Sequence, residues 1–336
     1  MQPLIQFKNV TYHHPGAPGD IPPALKNLSF SIERGEWVAL LGANGSGKTT
    51  LARHCNALLQ PTSGNVFVDG KDTLKIANIP HIRSRVGMVF QNPEDQMVAA
   101  VIEEDTAFGP ENLGVESAEI RRRVAAALDT VGMARFKNRP PHLLSAGQMQ
   151  RVALAGVLAM EPECVIFDES TAMLDPRGRQ DVLDTMRRLH EQGITVLFIT
   201  HFMDEAAKAD RAIVLHRGEL AFDGSPLNLF SDQVFLRKCG LEQPLSLQLL
   251  DAVRNSNPVL AHLSDNFEKA LEEIPLFDGE FFNPVNNRDE NSSEALVLID
   301  NLDHIYLKGT PLESIALREV SLKVKAGQAH GLVGAT

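Results

Sequence analysis

Short apolar runs separated by glycine-rich or charged turns occupy the first two-thirds of the chain, at the spacing of strands alternating with helices. Trp37-Val38-Ala39-Leu40-Leu41 leads straight into a glycine-rich turn, and the residues from Lys48 onward read as a helix. Val165-Ile166-Phe167 and Val196-Leu197-Phe198-Ile199 are further runs, rich in β-branched and aromatic residues, each ending in polar residues. Runs that are apolar at every position, not at every second one, predict strands buried on both faces. A parallel sheet with functional groups at its C-terminal edge has that pattern. Between about residues 92 and 160 the texture becomes helical; residues 118–131 are rich in Ala, Arg and Glu, with apolar positions near a 3.6 period. The fold class expected is α/β with a helical insertion. Helical texture returns over 232–282, for example at 246–253 and 266–274, and predicts a small C-terminal extension. Residues 283–294 are rich in Asn, Ser and charge and read as a linker. Strand-like pattern resumes at Leu296.

Composition narrows the function classes. The chain has 336 residues, 43% of them hydrophobic, enough for one large domain and something smaller. Its net charge of −11 argues against a general nucleic-acid binder, which carries a basic face. Cys55, Cys164 and Cys239 are widely spaced, without metal-ligand spacing or a disulfide framework, and point to a reducing compartment. Cys164 opens an apolar run and is expected to be a buried small hydrophobe. The longest apolar stretch, 152–160, is half of the ~18 residues a membrane helix needs. The N-terminus has no basic region followed by an apolar core, so no signal peptide is expected.

The turn after residues 37–41 carries the chemistry. Gly42-Ala43-Asn44-Gly45-Ser46-Gly47-Lys48-Thr49 fills every fixed position of G-x-x-x-x-G-K-[ST]. Backbone N–H groups of such a loop wrap a β-phosphate, and its glycines permit a path and a closeness that a Cβ would block. The helix N-terminus beneath adds partial positive charge. Lys48 is expected at the β- and γ-phosphates and Thr49 on Mg²⁺, with Thr50 beside it in the phosphate-binding set. Downstream, Val165-Ile166-Phe167-Asp168-Glu169 is a strand ending in two acids. In a P-loop ATPase the first acid serves the metal and the second can polarise the attacking water. A second motif starts at Gly331-Leu332-Val333-Gly334-Ala335-Thr336. The stretches before the two motifs are similar, Ala24-Leu25-Lys26-Asn27-Leu28-Ser29-Phe30 and Ala316-Leu317-Arg318-Glu319-Val320-Ser321-Leu322. One complete ATP-binding domain followed by a truncated start of a second is expected.

Leu144-Ser145-Ala146-Gly147-Gln148 lies before the acid pair and resembles the LSGGQ signature of the ATP-binding cassette family. The resemblance covers residues 4 to about 231, with its parts in the family's order: the P-loop, Gln91 after a strand, the signature, Asp168-Glu169, Leu174-Asp175, and His201 at a strand end. It implies a P-loop NTPase with a helical subdomain between Gln91 and the signature, in a cassette spanning 1–231. It implies ATP and Mg²⁺ as ligands. Gln91 would lie near Mg²⁺ and the coupling surface, and Asp175 at a dimer contact. His201 would contact the γ-phosphate, and Glu169 would act on the hydrolytic water. Ser145, Gly147 and Gln148 would face the P-loop of a second cassette, homologous or identical, in a head-to-tail pair. Two positions depart from the family. Ala146 stands where glycine is usual. His14 stands where an aromatic residue stacks on adenine; Tyr12, two residues earlier on the same side of a strand, is the alternative, and the second copy has Tyr306.

Val89-Phe90-Gln91-Asn92-Pro93-Glu94-Asp95-Gln96, Glu103-Glu104-Asp105 and Ala107-Phe108-Gly109-Pro110-Glu111-Asn112 narrow the resemblance to the ATPases of energy-coupling factor transporters. Ser170-Thr171-Ala172-Met173-Leu174-Asp175-Pro176 is similar to the first of their two paired ATPases, and Gly309-Thr310-Pro311 with Gly334-Ala335-Thr336 to the second. The resemblance implies an ATPase at the cytoplasmic face of the cell membrane that drives uptake of a vitamin or a transition-metal ion. Its partners would be a second cassette, an integral membrane coupling subunit and a substrate-capture subunit, with no nucleic acid. The rival class is a soluble cassette ATPase acting on nucleic acid or ribosomes. It is distinguished by a long coiled coil or a long charged linker. About 100 residues separate Lys48 from Ser145, and 283–294 is short and not basic.

Overall fold

A computed structural model describes residues 2–16, 22–256, 295–306 and 314–325. They fall in two units, one within residues 1–274 and one within 275–335.

The first unit is built on two sheets. β1 (Ile5–Tyr12) and β2 (Leu25–Ile32) pair antiparallel, and β4 (Ser63–Val68) and β5 (Lys71–Asp72) extend that sheet in the order β2-β1-β4-β5. The larger sheet contains β3 (Trp37–Leu41), β6 (Val86–Val89), β7 (Cys164–Asp168), β8 (Thr195–Ile199), β9 (Arg211–His216) and β10 (Glu219–Gly224). Its order is β10-β9-β3-β8-β7-β6, parallel except for the β10–β9 hairpin. β3, β7 and β8 are buried at all five positions, as their unbroken apolar runs predict. Successive side chains supply two cores. Val38, Leu40, Ile166 and Leu197 pack with the antiparallel sheet and with α1 (Lys48–Cys55). Ala39, Leu41, Phe167 and Phe198 pack on the opposite face. Each fully buried side chain of this size stabilises by about 1.5–3 kcal/mol. That exceeds the ~1 kcal/mol span of strand propensity, so burial fixes the register.

α2 (Ile79–Arg85) precedes β6, and the helical insertion follows it as α3 (Ile102–Asn112), α4 (Ser117–Thr130) and α5 (Ala146–Leu158). α6 (Pro176–Glu191) joins β7 to β8, and α7 (Met203–Ala206) follows β8. α8 (Pro226–Ser231) closes the span expected for the cassette, and the first part of the expected C-terminal extension holds α9 (Gln233–Cys239) and α10 (Leu245–Ser256). The helix expected over 266–274, the linker and the second glycine motif lie outside the described residues. Cys55, Cys164 and Cys239 are all buried free thiols, and burial pushes Cys164 up to about 12. Among the described residues no helix is long and apolar enough to cross a membrane.

The second unit contains one described hairpin, β11 (Ala295–Tyr306) paired with β12 (Ser314–Lys325). It repeats the β1–β2 hairpin at a constant interval. The pairs Ile5↔Ile32, Phe7↔Phe30 and Val10↔Leu28 recur 292 positions later as Val297↔Val324, Ile299↔Leu322 and Leu302↔Val320. The irregularities recur too: Asn9 and Asn27 have φ of 49°, and Asn301 and Glu319, each 292 positions on, have φ of 50°. The Asn9 N–H donates to the Ser29 hydroxyl at 2.9 Å and the Asn301 N–H to the Ser321 hydroxyl at 3.0 Å.

Candidate nucleotide site

Four strand ends meet at the C-terminal edge of the parallel sheet: those of β3, β6, β7 and β8. That edge is where open α/β sheets bind ligands. The β3 end opens into the glycine loop. At Gly42, with φ of +147°, an added Cβ would sit 2.4 Å from the Leu215 carbonyl oxygen and 2.5 Å from the Ser46 hydroxyl. At Gly47, with φ of +106°, it would sit 2.5 Å from the Ala24 carbonyl oxygen. The loop is thus pressed between β9 and the entry to β2, which holds its backbone N–H groups in one concave path. Ala43, Asn44 and Gly45 form its rim, and the buried Ser46 hydroxyl has no hydrogen-bond partner. Lys48 and Thr49 start α1, with Thr50 behind them.

Lys48 donates to the carbonyl oxygens of Gly42 at 2.8 Å and Ala43 at 3.1 Å. Burial pulls its ammonium below the ordinary lysine range, and the charges of Glu169 and Asp168 oppose that. The Thr49 hydroxyl donates to Asp168 Oδ1 at 3.0 Å. Burial raises the Asp168 carboxyl, Glu169 raises it further, and the Thr49 bond with Arg53 and Lys48 holds it down. Glu169 lies between two side chains: Gln91 Nε2 donates to its Oε2 at 3.2 Å, and His201 Nε2 lies 2.7 Å from its Oε1. The Glu169 backbone has φ of 50°, a conformation costing about 1–3 kcal/mol and concentrated at functional sites. Its N–H donates to the Ile199 carbonyl at 3.1 Å, which ties the β7 exit to β8.

The structure therefore gathers the glycine loop, Lys48, Thr49, Gln91, Asp168, Glu169 and His201. The signature residues lie elsewhere, at the start of α5. Ser145 accepts from the Gln148 N–H at 3.4 Å, and the Gln148 side chain accepts from the Ser145 N–H at 3.1 Å. This capping box leaves the Ser145 hydroxyl proton free for an outside acceptor. Ala146 and Gly147 form the first turn. Asp175 caps α6, accepting from the Gly178 N–H at 2.8 Å. Among the described residues, the side chains of Ser145, Gln148 and Asp175 make no hydrogen bond to the phosphate loop or the Asp168–Glu169 corner. Tyr12 and His14 also separate. Tyr12 is 5% exposed, edge-on to His14 at 5.1 Å and to His54 at 4.8 Å, whereas His14 is exposed.

Two clamps had no place in the sequence reading. Gln150, in the helix after the signature, donates to the Phe90 carbonyl at 3.3 Å, and Gln96 accepts from the Phe90 N–H at 2.7 Å. Phe90, the residue before Gln91, is thereby held at both its backbone groups. Buried Asp105 accepts from the N–H groups of Val98 at 2.7 Å and Ala99 at 2.9 Å. These bonds shape a groove between α2, β6 and α3 whose lining includes the exposed Leu58, Val98, Phe108 and Leu113.

A nucleoside triphosphate fits this site on two counts: the packing at Gly42 and Gly47 that excludes a Cβ holds the loop's N–H groups in one concave path, and the loop's buried Ser46 hydroxyl has no partner among the described residues. The donors beside it are one hydroxyl, one carboxylate and one amide. Mg²⁺ takes such a sparse oxygen set when substrate phosphates complete its shell.

Residues 25–172 match the family model described as ABC transporter. The chain is 49% identical over 252 residues to the energy-coupling factor transporter ATP-binding protein EcfA1 of Caldanaerobacter subterraneus, covering 75% of this chain and 91% of that one. Among solved structures it is similar to cbiO1 from Clostridium perfringens, part of the ABC transporter complex cbiONQ. That match has a TM-score of 0.64 and 32% identity, over 82% of this chain and 100% of that one. It is also similar to the dimeric ATP-binding cassette MJ0796 in a post-hydrolysis state with ADP and Pi. The TM-score there is 0.61 and the identity 31%, over 66% of this chain and 98% of that one.

Proposed function

We propose that this chain, which belongs to the family of energy-coupling factor transporter ATP-binding proteins, hydrolyses ATP to drive uptake of a vitamin or transition-metal ion through a membrane partner. The observation that carries the chemistry is the placement of Glu169 between Gln91 and His201, next to the Thr49–Asp168 pair. The glycine loop holds the β-phosphate, and Lys48 exchanges its two loop carbonyls for phosphate oxygens. Mg²⁺, held by Thr49 and Asp168 with Gln91 alongside, would neutralise charge on the β- and γ-phosphate oxygens. Glu169 orients the attacking water and accepts its proton, while His201 turns to the γ-phosphate. His14 stacks on the adenine and Tyr12 buttresses it from behind.

The second half of each site comes from another cassette. Ser145, Gly147 and Gln148 present N–H groups and a free hydroxyl proton at a helix N-terminus, an anion site with no phosphate in its own subunit. A homo- or heterodimer brings it onto the partner's phosphate loop, with Asp175 at the contact; the structural relative MJ0796 is dimeric. The groove beside Gln91 receives a membrane subunit, which places the protein on the cytoplasmic face of the membrane. Co-purification tests this reading: the tagged chain, expressed with its genomic neighbours and extracted in detergent, should retain a small integral membrane protein. Retention of RNA or DNA in its place overturns it. Asp105→Ala, which frees the Val98 and Ala99 N–H groups at a cost of about 1–3 kcal/mol, should cut that retention about tenfold with ATP binding unchanged. Equal retention would show that the groove is not the docking site.

The hairpin at 295–325 opens a second cassette, as its 292-residue repeat of β1–β2 supports. Its apolar positions are poorly covered: Val297 is 47% exposed, whereas Ile5 is 0% exposed. Removing residues 295–336 should therefore leave ATP affinity unchanged and raise solubility. Loss of ATP binding on that deletion would make the segment part of the first cassette.

A further inference from the structure

The mechanism leaves one buried carboxylate unused. Glu205 is 4% exposed, in the short α7 that follows His201. A carboxylate removed from water is costly unless its oxygens are paired. Its Oε2 accepts from the Thr200 hydroxyl at 2.6 Å and from the Thr171 hydroxyl at 3.1 Å. Among the described residues its Oε1 makes no hydrogen bond; it faces the charge of Arg179, whose Nε lies 3.7 Å away. Each partner adjoins a residue of the hydrolytic site. Thr200 immediately precedes His201, and Thr171 stands two residues after Glu169. Arg179 lies in α6, the helix that Asp175 caps, and its guanidinium sits 3.5 Å from the ring centroid of Phe202, which immediately follows His201. The Thr200 hydroxyl, having donated to Glu205, accepts from the Phe202 N–H at 3.0 Å. His201 is therefore flanked on both sides by residues tied to one carboxylate.

We propose that Glu205 is a positioning residue for hydrolysis: it locks the turn carrying Glu169 to the strand end carrying His201, and so sets the spacing from which those two side chains reach the water and the γ-phosphate. This rests on the assignment of Glu169 and His201 to the reaction. The clamp touches no residue of the phosphate loop, so its loss reaches turnover and spares nucleotide binding. A misplacement of about 1 Å in a catalytic group can cost ~10²-fold in rate.

The test is ATP turnover by the full chain, with kcat and KM read separately. Glu205→Ala should lower kcat by about tenfold or more and leave KM for ATP within about twofold, because the displaced groups act in the chemical step. Thr200→Val removes the hydroxyl, and with it the bonds to Glu205 and from the Phe202 N–H, and should lower kcat in the same sense, while Thr200→Ser, which keeps the hydroxyl, should restore it. That pair decides the matter if Glu205→Ala does not fold. Placed on His201→Ala, Glu205→Ala should cost less than its full loss in the parent, since the part that acts through His201 is already gone and coupled residues are non-additive. Multiplying losses, or a parental kcat in both Glu205→Ala and Thr200→Val, would overturn the inference alone, with the His201 assignment standing. A parental rate in His201→Ala would overturn both.

Discussion

Glu169→Gln should bind ATP as the parent does and hydrolyse it slower by ~10²-fold or more, the contribution of a positioned acid–base group. The substitution keeps the side chain's length and its donor contact from Gln91, and a residue with a Cβ stays at the backbone φ of 50°. What it removes is the charge that orients water and accepts a proton. A loss of ~10²-fold is about 2.7 kcal/mol of barrier, more than one neutral hydrogen bond contributes to stability, so misfolding and lost chemistry can be told apart by magnitude and by retained binding. With hydrolysis blocked, the ATP-bound pair of cassettes should accumulate as a dimer in size-exclusion chromatography. Parental phosphate release by this variant would move the catalytic role to another group.

The elements of this site were legible in the sequence where local pattern and chemistry coincide. The run at residues 37–41 is apolar at every position because both sheet faces are covered, and the glycines after it follow from a loop pressed against Leu215 and Ala24. The order of Gln91, Asp168, Glu169 and His201 gave their roles by resemblance, and the parallel sheet explains their meeting: each lies at the C-terminal end of its strand or just beyond it. Contacts that depend on long-range packing were not legible. Glu205 lies in a charged stretch with Asp204 and reads as solvated; only the fold places Thr171, 34 positions away, against it. Gln150 reaches Phe90 across 60 positions. The Ser145–Gln148 box was available in principle, because S-x-x-Q is its own signal. Tyr12 and His14 share a strand-face parity, which carries no information about depth. His54 beneath Tyr12 supplied what parity lacked.

The largest effect on binding should come from Lys48→Ala. In the structure Lys48 is 5% exposed and its ammonium donates to Gly42 and Ala43, so part of its dehydration precedes nucleotide binding. The negative charges of Asp168 and Glu169 help to offset that cost. Exchange of two neutral carbonyls for anionic phosphate oxygens is then favourable, at about 1.5–3 kcal/mol for each charge-assisted bond. Loss of both should weaken ATP binding by ~10²-fold or more at about 1.4 kcal/mol per tenfold. The loop itself should survive, because Gly42 and Gly47 are held by backbone packing against Leu215 and Ala24, contacts that Lys48 does not make. Thermal unfolding separates the two effects. Without nucleotide, Lys48→Ala should melt close to the parent. With Mg-ATP the parent should gain the stabilisation expected of saturating ligand, about 2.7 kcal/mol at a hundredfold excess over Kd, and the variant should gain little. Chelating Mg²⁺ should reduce the parent's gain without abolishing it, since in the proposed site Thr49 and Asp168 would hold the metal and the glycine loop the phosphate. An undiminished ATP-induced shift in Lys48→Ala would remove this lysine from the phosphate site.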